Sequence, residues 1–220
     1  MKSESQILAQ TREFVKTKMS NDAGGHDWWH VARVVGNAKT IAETEGGDKF
    51  VIELGALLHD VADWKFHDGD VTAGPKIARD WLREMSVNDS IADKVTEIVE
   101  HISFRGGTNK HVMQTLEAEI VQDADRLDAL GAIGIARVFA VGEALGKTIY
   151  NPDIPPRSYD NFKAYRNNLK DSPTVNHFYE KLLLLKDKMN TSTGRSMAEY
   201  RHGYMEGYLK EFFAEWDGEK

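Results

Sequence analysis

The stretch that decides the fold is Leu54-Gly55-Ala56-Leu57-Leu58-His59-Asp60-Val61-Ala62-Asp63-Trp64-Lys65-Phe66. Its leucine, valine and alanine residues recur at helical spacing, which predicts a buried helix. His59, Asp60 and Asp63 fall at the end of that helix. Burying two carboxylates and an imidazole is costly unless they are paired or bind a metal. The stretch therefore predicts a metal-binding helix end or, equally well, a helix end whose two aspartates face water.

Length and composition favour one domain, residues 1–220, because 41% of the residues are hydrophobic and can build a sizeable core. The formal charge of -7 disfavours a nucleic-acid polymer as partner. A small phosphorylated molecule is still allowed, since a metal and a few local cations can offset the global charge. The sequence has no cysteine, which excludes disulfides and thiolate zinc sites.

The sequence also predicts a cytoplasmic protein that makes no contact with membranes. Its first residues lack the apolar core of a signal peptide. No apolar run approaches the ~20 residues needed to cross a bilayer. A homodimer is a further expectation, based only on how common dimers are among soluble proteins.

Apolar spacing predicts a mostly helical chain and no strand of useful length. The segment Gly146 to Pro173 differs, because it holds four of the five prolines together with several aromatic residues. We expect a flap over a site there, with a short helix at 159–168. The other predicted helices are 5–19, a long one with His30 in its first turns that ends at Gly46, one from Lys49 that carries His59-Asp60, then 75–85, 89–102, 115–128, 131–145, 174–189 and 196–216.

Four side chains near helix ends form a candidate metal site: His30, His59, Asp60 and Asp125. Two imidazoles and two carboxylates suit Zn, Mn, Fe, Ni or Co better than Ca. Neighbours in a helix point about 100° apart, so His59 and Asp60 share an ion only if it lies between their two directions. We therefore expect the site at the edge of a helix bundle.

The order of a histidine, a His-Asp pair and a distant aspartate resembles the HD-domain metal-dependent phosphohydrolases, most closely the compact bacterial HD nucleotide pyrophosphohydrolases. The similarity covers roughly residues 20–145, and residues around the four positions fit as well. The matching motifs are His26-Asp27-x-x-His30-Val31-x-Arg33-Val34, Leu57-Leu58-His59-Asp60 and Asp123-Ala124-Asp125-Arg126-Leu127-Asp128-Ala129-x-Gly131-Ala132-Ile133-Gly134.

This resemblance implies an all-α, single-domain bundle of the HD type with a core at about 20–145. Composition and apolar spacing add a flap-like segment at 146–173 and closing helices at 174–216. The resemblance also implies that His30, His59, Asp60 and Asp125 ligate one divalent metal ion. Mn²⁺ is favoured, and Fe²⁺, Ni²⁺, Co²⁺, Zn²⁺ or Mg²⁺ are alternatives, because this ligand set does not select one ion.

Each ligand has a competing interpretation. His30 could be a packed helix histidine, and His26 could be its partner or a cap. Asp123 or Asp128 could replace Asp125 as ligand, although Asp123 fits better as a partner of buried backbone or of Arg33.

The catalytic and substrate-binding candidates lie around the same positions. Asp63 follows His59 by four residues, so in a helix it would project to the same side and could take a proton from water; an exposed carboxylate is the alternative. Asp68 is a weaker acid or base candidate on the following loop. The candidate phosphate contacts are Lys65, Arg105, Arg126 and His101, for which surface exposure or a helix-end role are the alternatives.

The sequence thus leads to one functional hypothesis with two rivals. The hypothesis is a metal-dependent phosphohydrolase that cleaves a small phosphorylated substrate, preferably a (deoxy)nucleoside triphosphate, to the monophosphate and pyrophosphate. The first rival is a nucleotidase or phosphodiesterase. The second is an HD protein that binds metal and nucleotide without turnover. A (p)ppGpp hydrolase is disfavoured, since Asp63-Trp64 stands where that group carries a Glu-Asp pair.

The aromatic residues of the C-terminal part are candidates for contacts with a base or ribose, although core packing suits the rings better. They are Tyr150, Tyr159, Tyr165 and His177.

Overall fold

The computed structural model describes residues 2–19, 27–62, 70–104, 111–168 and 170–220, and within these ranges the fold is all-α. The all-α prediction is confirmed. The helices are α1 (Glu4–Lys18), α2 (Trp28–Glu45), α3 (Lys49–Leu58), α4 (Ala73–Glu84), α5 (Asp89–His101), α6 (Leu116–Asp128), α7 (Gly131–Ala144), α8 (Phe162–Asn168), α9 (Asn176–Glu180) and α10 (Ser192–Trp216).

Helix α3 is the centre of the bundle and packs against α1, α2, α5 and α6. It begins where the Asp48 carboxylate accepts hydrogen bonds from the backbone N–H of Phe50 and Val51, which satisfies two of the donors left free at a helix start. Gly55 lets its neighbours come close, since a Cβ there would lie 2.9 Å from the Ile98 side chain. The helix ends one residue before His59, so the His-Asp pair lies in the turn that follows a largely buried helix.

Helices α2 and α6 pack against each other beside α3. The Asp27 side chain caps α2 by accepting from the backbone N–H of His30, which fixes His30 in the first turn. The Thr115 hydroxyl accepts from the N–H of Ala118 at the start of α6. The apolar stripes of α2 and α6 are buried, so the polar residues at the facing ends of the two helices are held close to the end of α3.

A tight turn connects α6 to α7. Gly131 has a φ of +70°, a left-handed conformation that favours glycine. A Cβ at this position would also lie 3.2 Å from the side chain of Arg201 on α10. The Arg201 guanidinium donates to the carbonyl of Leu127 at 2.6 Å, and so holds α10 against the end of α6.

The prediction of a single helix over 174–189 is wrong. The chain instead forms α9 and then two 3₁₀ turns, Leu182–Leu184 and Lys186–Lys188. Leu182 and Leu185 are both buried and are three residues apart, which matches the three-residue repeat of a 3₁₀ turn. The short helix expected within 159–168 is present as α8.

The aromatic residues after α7 take part in packing. The Tyr150 ring lies edge-on to Phe213 and Trp216 of α10, with ring centroids 5.4 and 4.9 Å apart. Tyr165 is buried, and its ring contacts Tyr159. Core packing was the preferred role for these residues, and their ring contacts agree with it. No helix among the described residues is both long and apolar enough to cross a membrane.

Candidate metal centre

Four polar side chains from three regions converge at the end of α3. The Nε2 atoms of His30 and His59 lie 3.2 Å apart. The Asp60 carboxylate is 3.5 Å from His30 Nε2 and 3.8 Å from His59 Nε2. The Asp125 carboxylate is 3.5 and 3.7 Å from the same two nitrogens. The structure therefore brings together the four side chains that the sequence singles out.

The separations fit a shared divalent ion. Ligands bound at about 2.1 Å, with angles between a right angle and a tetrahedral one, lie about 3.0–3.4 Å apart. The two Nε2 atoms are 3.2 Å apart and each carboxylate lies 3.5–3.8 Å from them, so these distances need to contract by only about 0.4 Å. His30, His59 and Asp60 by themselves already form a group with ligand atoms close enough to hold a metal ion.

Both histidines are buried, and each has its second ring nitrogen engaged. The His59 Nδ1 lies 2.8 Å from the carbonyl oxygen of Ala56, an acceptor on α3 itself. The His30 Nδ1 lies 2.7 Å from the Asp128 carboxylate. Such contacts direct the Nε2 atoms toward a common point, which is how metal-binding histidines are usually held.

Asp128 is the centre of a buried charge cluster next to the site. Arg33 donates to both of its oxygens, at 2.7 and 3.1 Å, and Arg137 donates to one at 2.9 Å. Burial raises the pKa of Asp128, but the hydrogen bonds with His30 and Arg33 lower it by more, so the pKa of Asp128 lies well below its usual range. Asp128 is therefore a carboxylate at neutral pH.

The pKa of His30 reflects the same contacts. Burial lowers the pKa of His30, whereas its hydrogen bonds to Asp128 and Asp60 raise it by more, and the net result lies above the ordinary value. Protons and a metal ion compete for the Nε2 atom. Acidification is thus expected to weaken metal binding at this site.

Asp123 and Asp128 were the alternatives to Asp125 as ligand, and both make other contacts. The buried Asp123 accepts from the backbone N–H of Asn190 and of Thr191, at 2.9 and 2.8 Å. Arg33, which sequence reasoning offered as a partner of Asp123, pairs with Asp128.

The predicted phosphate contacts are only partly described. Arg126 donates to the carbonyl of Lys188 and lies 4.0 Å from Asp123, and burial lowers the pKa of its guanidinium. His101 is the last residue of α5 and stacks on His111, with ring centroids 3.6 Å apart. Sequence reasoning did not identify His111, because no periodic pattern surrounds it. His26, Asp63, Lys65, Asp68 and Arg105 lie outside the described residues.

Comparison with known proteins identifies the family. The family model for the HD domain matches residues 28–130. The YpgQ protein of Bacillus subtilis is 39% identical over 204 residues, which are 92% of this chain and 90% of YpgQ. The chain therefore belongs to the HD superfamily, as its motifs indicated.

Solved structures show the same relationship. An HD-superfamily hydrolase from Bacillus thuringiensis is 42% identical, with 98% of this chain and 99% of that chain covered and a TM-score of 0.74. A Lactobacillus plantarum protein is 34% identical, with 99% and 100% covered and a TM-score of 0.84. Over its structural superposition, YpgQ in complex with ADP is 34% identical, with 95% and 94% covered and a TM-score of 0.74. The fold is thus shared with all three proteins, and the Bacillus thuringiensis relative supports a hydrolase class for this chain.

Proposed function

We propose that this protein is a metal-dependent phosphohydrolase that cleaves (deoxy)nucleoside triphosphates to the monophosphate and pyrophosphate. The observation that carries the proposal is the convergence of four side chains at one end of the bundle: the carboxylates of Asp60 and Asp125 lie 3.5–3.8 Å from the Nε2 atoms of His30 and His59, which are themselves 3.2 Å apart. We assign these four side chains as ligands of one divalent ion, with Mn²⁺ as the favoured metal. Bound there, such an ion supplies Lewis-acid polarisation of a phosphoryl oxygen and a lowered pKa for water.

A nucleotide as substrate is supported by a relative. YpgQ has been crystallised in complex with ADP, and it aligns with 95% of this chain. The net charge of -7 agrees with a small nucleotide better than with a nucleic-acid polymer, which requires an extended basic surface. A local group of cations beside the metal is sufficient for a few phosphates.

The remaining roles follow from sequence position. Asp63 accepts a proton from the attacking water, and Asp68 is a second acid or base candidate. Arginine binds phosphate oxygens through its forked donors, and lysine binds them through its point charge. The residues that we assign to the phosphates are Lys65, His101, Arg105 and Arg126.

Nucleotide turnover with product analysis tests the proposal. Chelator-treated protein is reloaded with Mn²⁺ and incubated with each common NTP and dNTP, and anion-exchange chromatography separates pyrophosphate from phosphate. We expect monophosphate and pyrophosphate from the wild type, and loss of at least ~100-fold in kcat/KM in Asp60→Ala and Asp125→Ala. Asp217→Ala is the matched control, because Asp217 is exposed at the end of α10, outside both the flap-like segment and the proposed site residues.

Other products would change the conclusion. Release of phosphate alone would replace pyrophosphohydrolase with nucleotidase, and cleavage of a diester substrate would indicate a phosphodiesterase. A nucleotide that raises the melting temperature without being consumed would contradict the enzyme proposal and indicate a binding protein.

A further inference from the structure

Asp128 is almost completely buried and has a donor against each of its oxygens. Oδ1 accepts from Arg33 Nε at 2.7 Å. Oδ2 lies 3.1 Å from Arg33 Nη2, 2.9 Å from Arg137 Nη1 and 2.7 Å from His30 Nδ1. A guanidinium only donates hydrogen bonds, so three of the four contacts require an acceptor in Asp128.

These contacts determine where the proton of His30 lies. Asp128 is an acceptor at both oxygens, so the fourth contact is favourable only if His30 Nδ1 carries hydrogen. In the neutral imidazole the lone pair is then on Nε2. That atom faces His59 at 3.2 Å and the carboxylates of Asp60 and Asp125 at 3.5 Å. The Nδ1 contact with Asp128 is 2.7 Å long and either carboxylate contact of Nε2 is 3.5 Å long, so the shorter Nδ1 contact decides which nitrogen keeps the hydrogen in the neutral ring.

We infer that Asp128 is a positioning residue, which holds the His30 ring in the Nδ1–H tautomer and aims its Nε2 lone pair at the metal site. This inference rests on the proposed metal site. The two histidines are held in different ways, because His59 uses the backbone carbonyl of Ala56, which no side-chain substitution removes. His30 depends on one carboxylate that is 98 residues away in sequence.

The fold holds that carboxylate in place from three helices. Arg33 comes from α2, Asp128 ends α6, and Arg137 comes from α7. The left-handed turn at Gly131 reverses the chain so that Arg137 returns to Asp128, where it also lies 3.3 Å from the Asp128 carbonyl oxygen. Asp128 therefore has little freedom to turn away from His30.

The first test uses metal-free wild-type protein. Nitrogen-15 NMR of the histidine rings at alkaline pH, where the imidazoles are neutral, distinguishes Nδ1–H from Nε2–H. His30 is assigned by loss of its signals in His30→Gln. We expect Nδ1–H for His30, and an Nε2–H tautomer would overturn the inference without any Asp128 variant having to fold.

Two substitutions at Asp128 separate positioning from support of the fold. Asp128→Ala removes the acceptor, and we expect Mn²⁺ affinity to fall about 10- to 100-fold, as for other residues that orient a metal-binding histidine. Asp128→Asn keeps one oxygen. If the NH₂ group of the asparagine takes the Oδ1 position, it faces only one donor, Arg33 Nε. The amide oxygen then takes the Oδ2 position, where it still accepts from His30.

Asp128→Asn should therefore keep the Nδ1–H tautomer of His30 and lose less than ~10-fold in Mn²⁺ affinity. Both variants lose the ionic contacts with arginine, so both should melt at a lower temperature than the wild type. Affinity is measured by calorimetric titration of Mn²⁺ well below each melting temperature. Equal affinity in wild type and Asp128→Ala would contradict the inference while leaving the metal site intact. Failure of the wild type to bind any offered divalent ion would instead contradict the proposed function.

Discussion

Replacing Asp123 by alanine is expected to destabilise the protein by about 3 kcal/mol while leaving the four proposed metal ligands in place. Asp123 is fully buried, and its carboxylate accepts from two backbone N–H groups, those of Asn190 and Thr191. It also accepts from the Thr191 hydroxyl at 2.8 Å. Thr191 caps α10, so these contacts join the start of the longest helix to α6.

The magnitude follows from the donors that lose their acceptor. Each buried N–H left without a partner costs about 1–3 kcal/mol, so two give about 2–6 kcal/mol. We take a value in the lower half of that range, because water can enter beside Asn190 once the carboxylate is gone. For a chain of this size 1 kcal/mol corresponds to about 2–4 °C, so the melting temperature should fall by about 6–12 °C.

Differential scanning calorimetry and urea denaturation measure this change, with Asp153→Ala as control. Asp153 is exposed, so its removal should change the free energy of unfolding by no more than about 0.5 kcal/mol. Mn²⁺ titration at low temperature should give the wild-type stoichiometry in both variants. If Asp123→Ala melts within about 2 °C of the wild type, the argument that its hydrogen bonds hold α10 to α6 is refuted.

Three further results are expected. Gly134→Ala should lose about 1–3 kcal/mol of stability, because its Cβ would lie 2.2 Å from a backbone oxygen. Gly207→Ala, on the exposed face of α10, should gain about 0.5–1 kcal/mol, because nothing lies within 4 Å of the added Cβ. Thermal melts of both variants measure these changes. Burial raises the pKa of Glu53, but bonds from Lys39 and Arg12 lower it by more. The stability difference between wild type and Glu53→Gln should therefore hold at neutral pH. It should begin to shrink near the ordinary glutamate pKa of about 4.3, where the unfolded chain takes up a proton first, and be lost as pH falls through the lower pKa of the folded state, which urea denaturation at each pH measures. A difference that grows on acidification would contradict the ion pairing.

Most helices could be predicted from the sequence, because the apolar residues on the buried face of a helix recur every three to four positions, and this repeat is visible within a single segment. Helix α5 was predicted as 89–102 and is found at Asp89–His101, and α6 was predicted as 115–128 and is found at Leu116–Asp128. The side chains at His59 and Asp60 stood out because polar groups at the end of an apolar helix need a partner or a ligand.

Contacts between distant parts of the chain could not be predicted in this way. The role of Asp128 depends on its distances to His30 and Arg33, which are 98 and 95 residues away and belong to another helix. The end of the segment 174–189 is also held by contacts with α6, since the Arg126 guanidinium donates to the Lys188 carbonyl and the Asp123 carboxylate accepts from the N–H groups of Asn190 and Thr191. Periodicity in one segment contains no information about such partners.

Metal content tests the central claim most directly. Protein purified without chelator, offered Mn²⁺, Fe²⁺, Ni²⁺, Co²⁺ or Zn²⁺ and then desalted, is analysed by inductively coupled plasma mass spectrometry beside Asp60→Ala and Asp125→Ala. We predict about one divalent ion per chain in the wild type and a loss of most of it in both variants, because each removes one of four ligands. A wild type that retains none of these ions, or variants that retain as much as the wild type, would contradict the assignment of this cluster as the metal site.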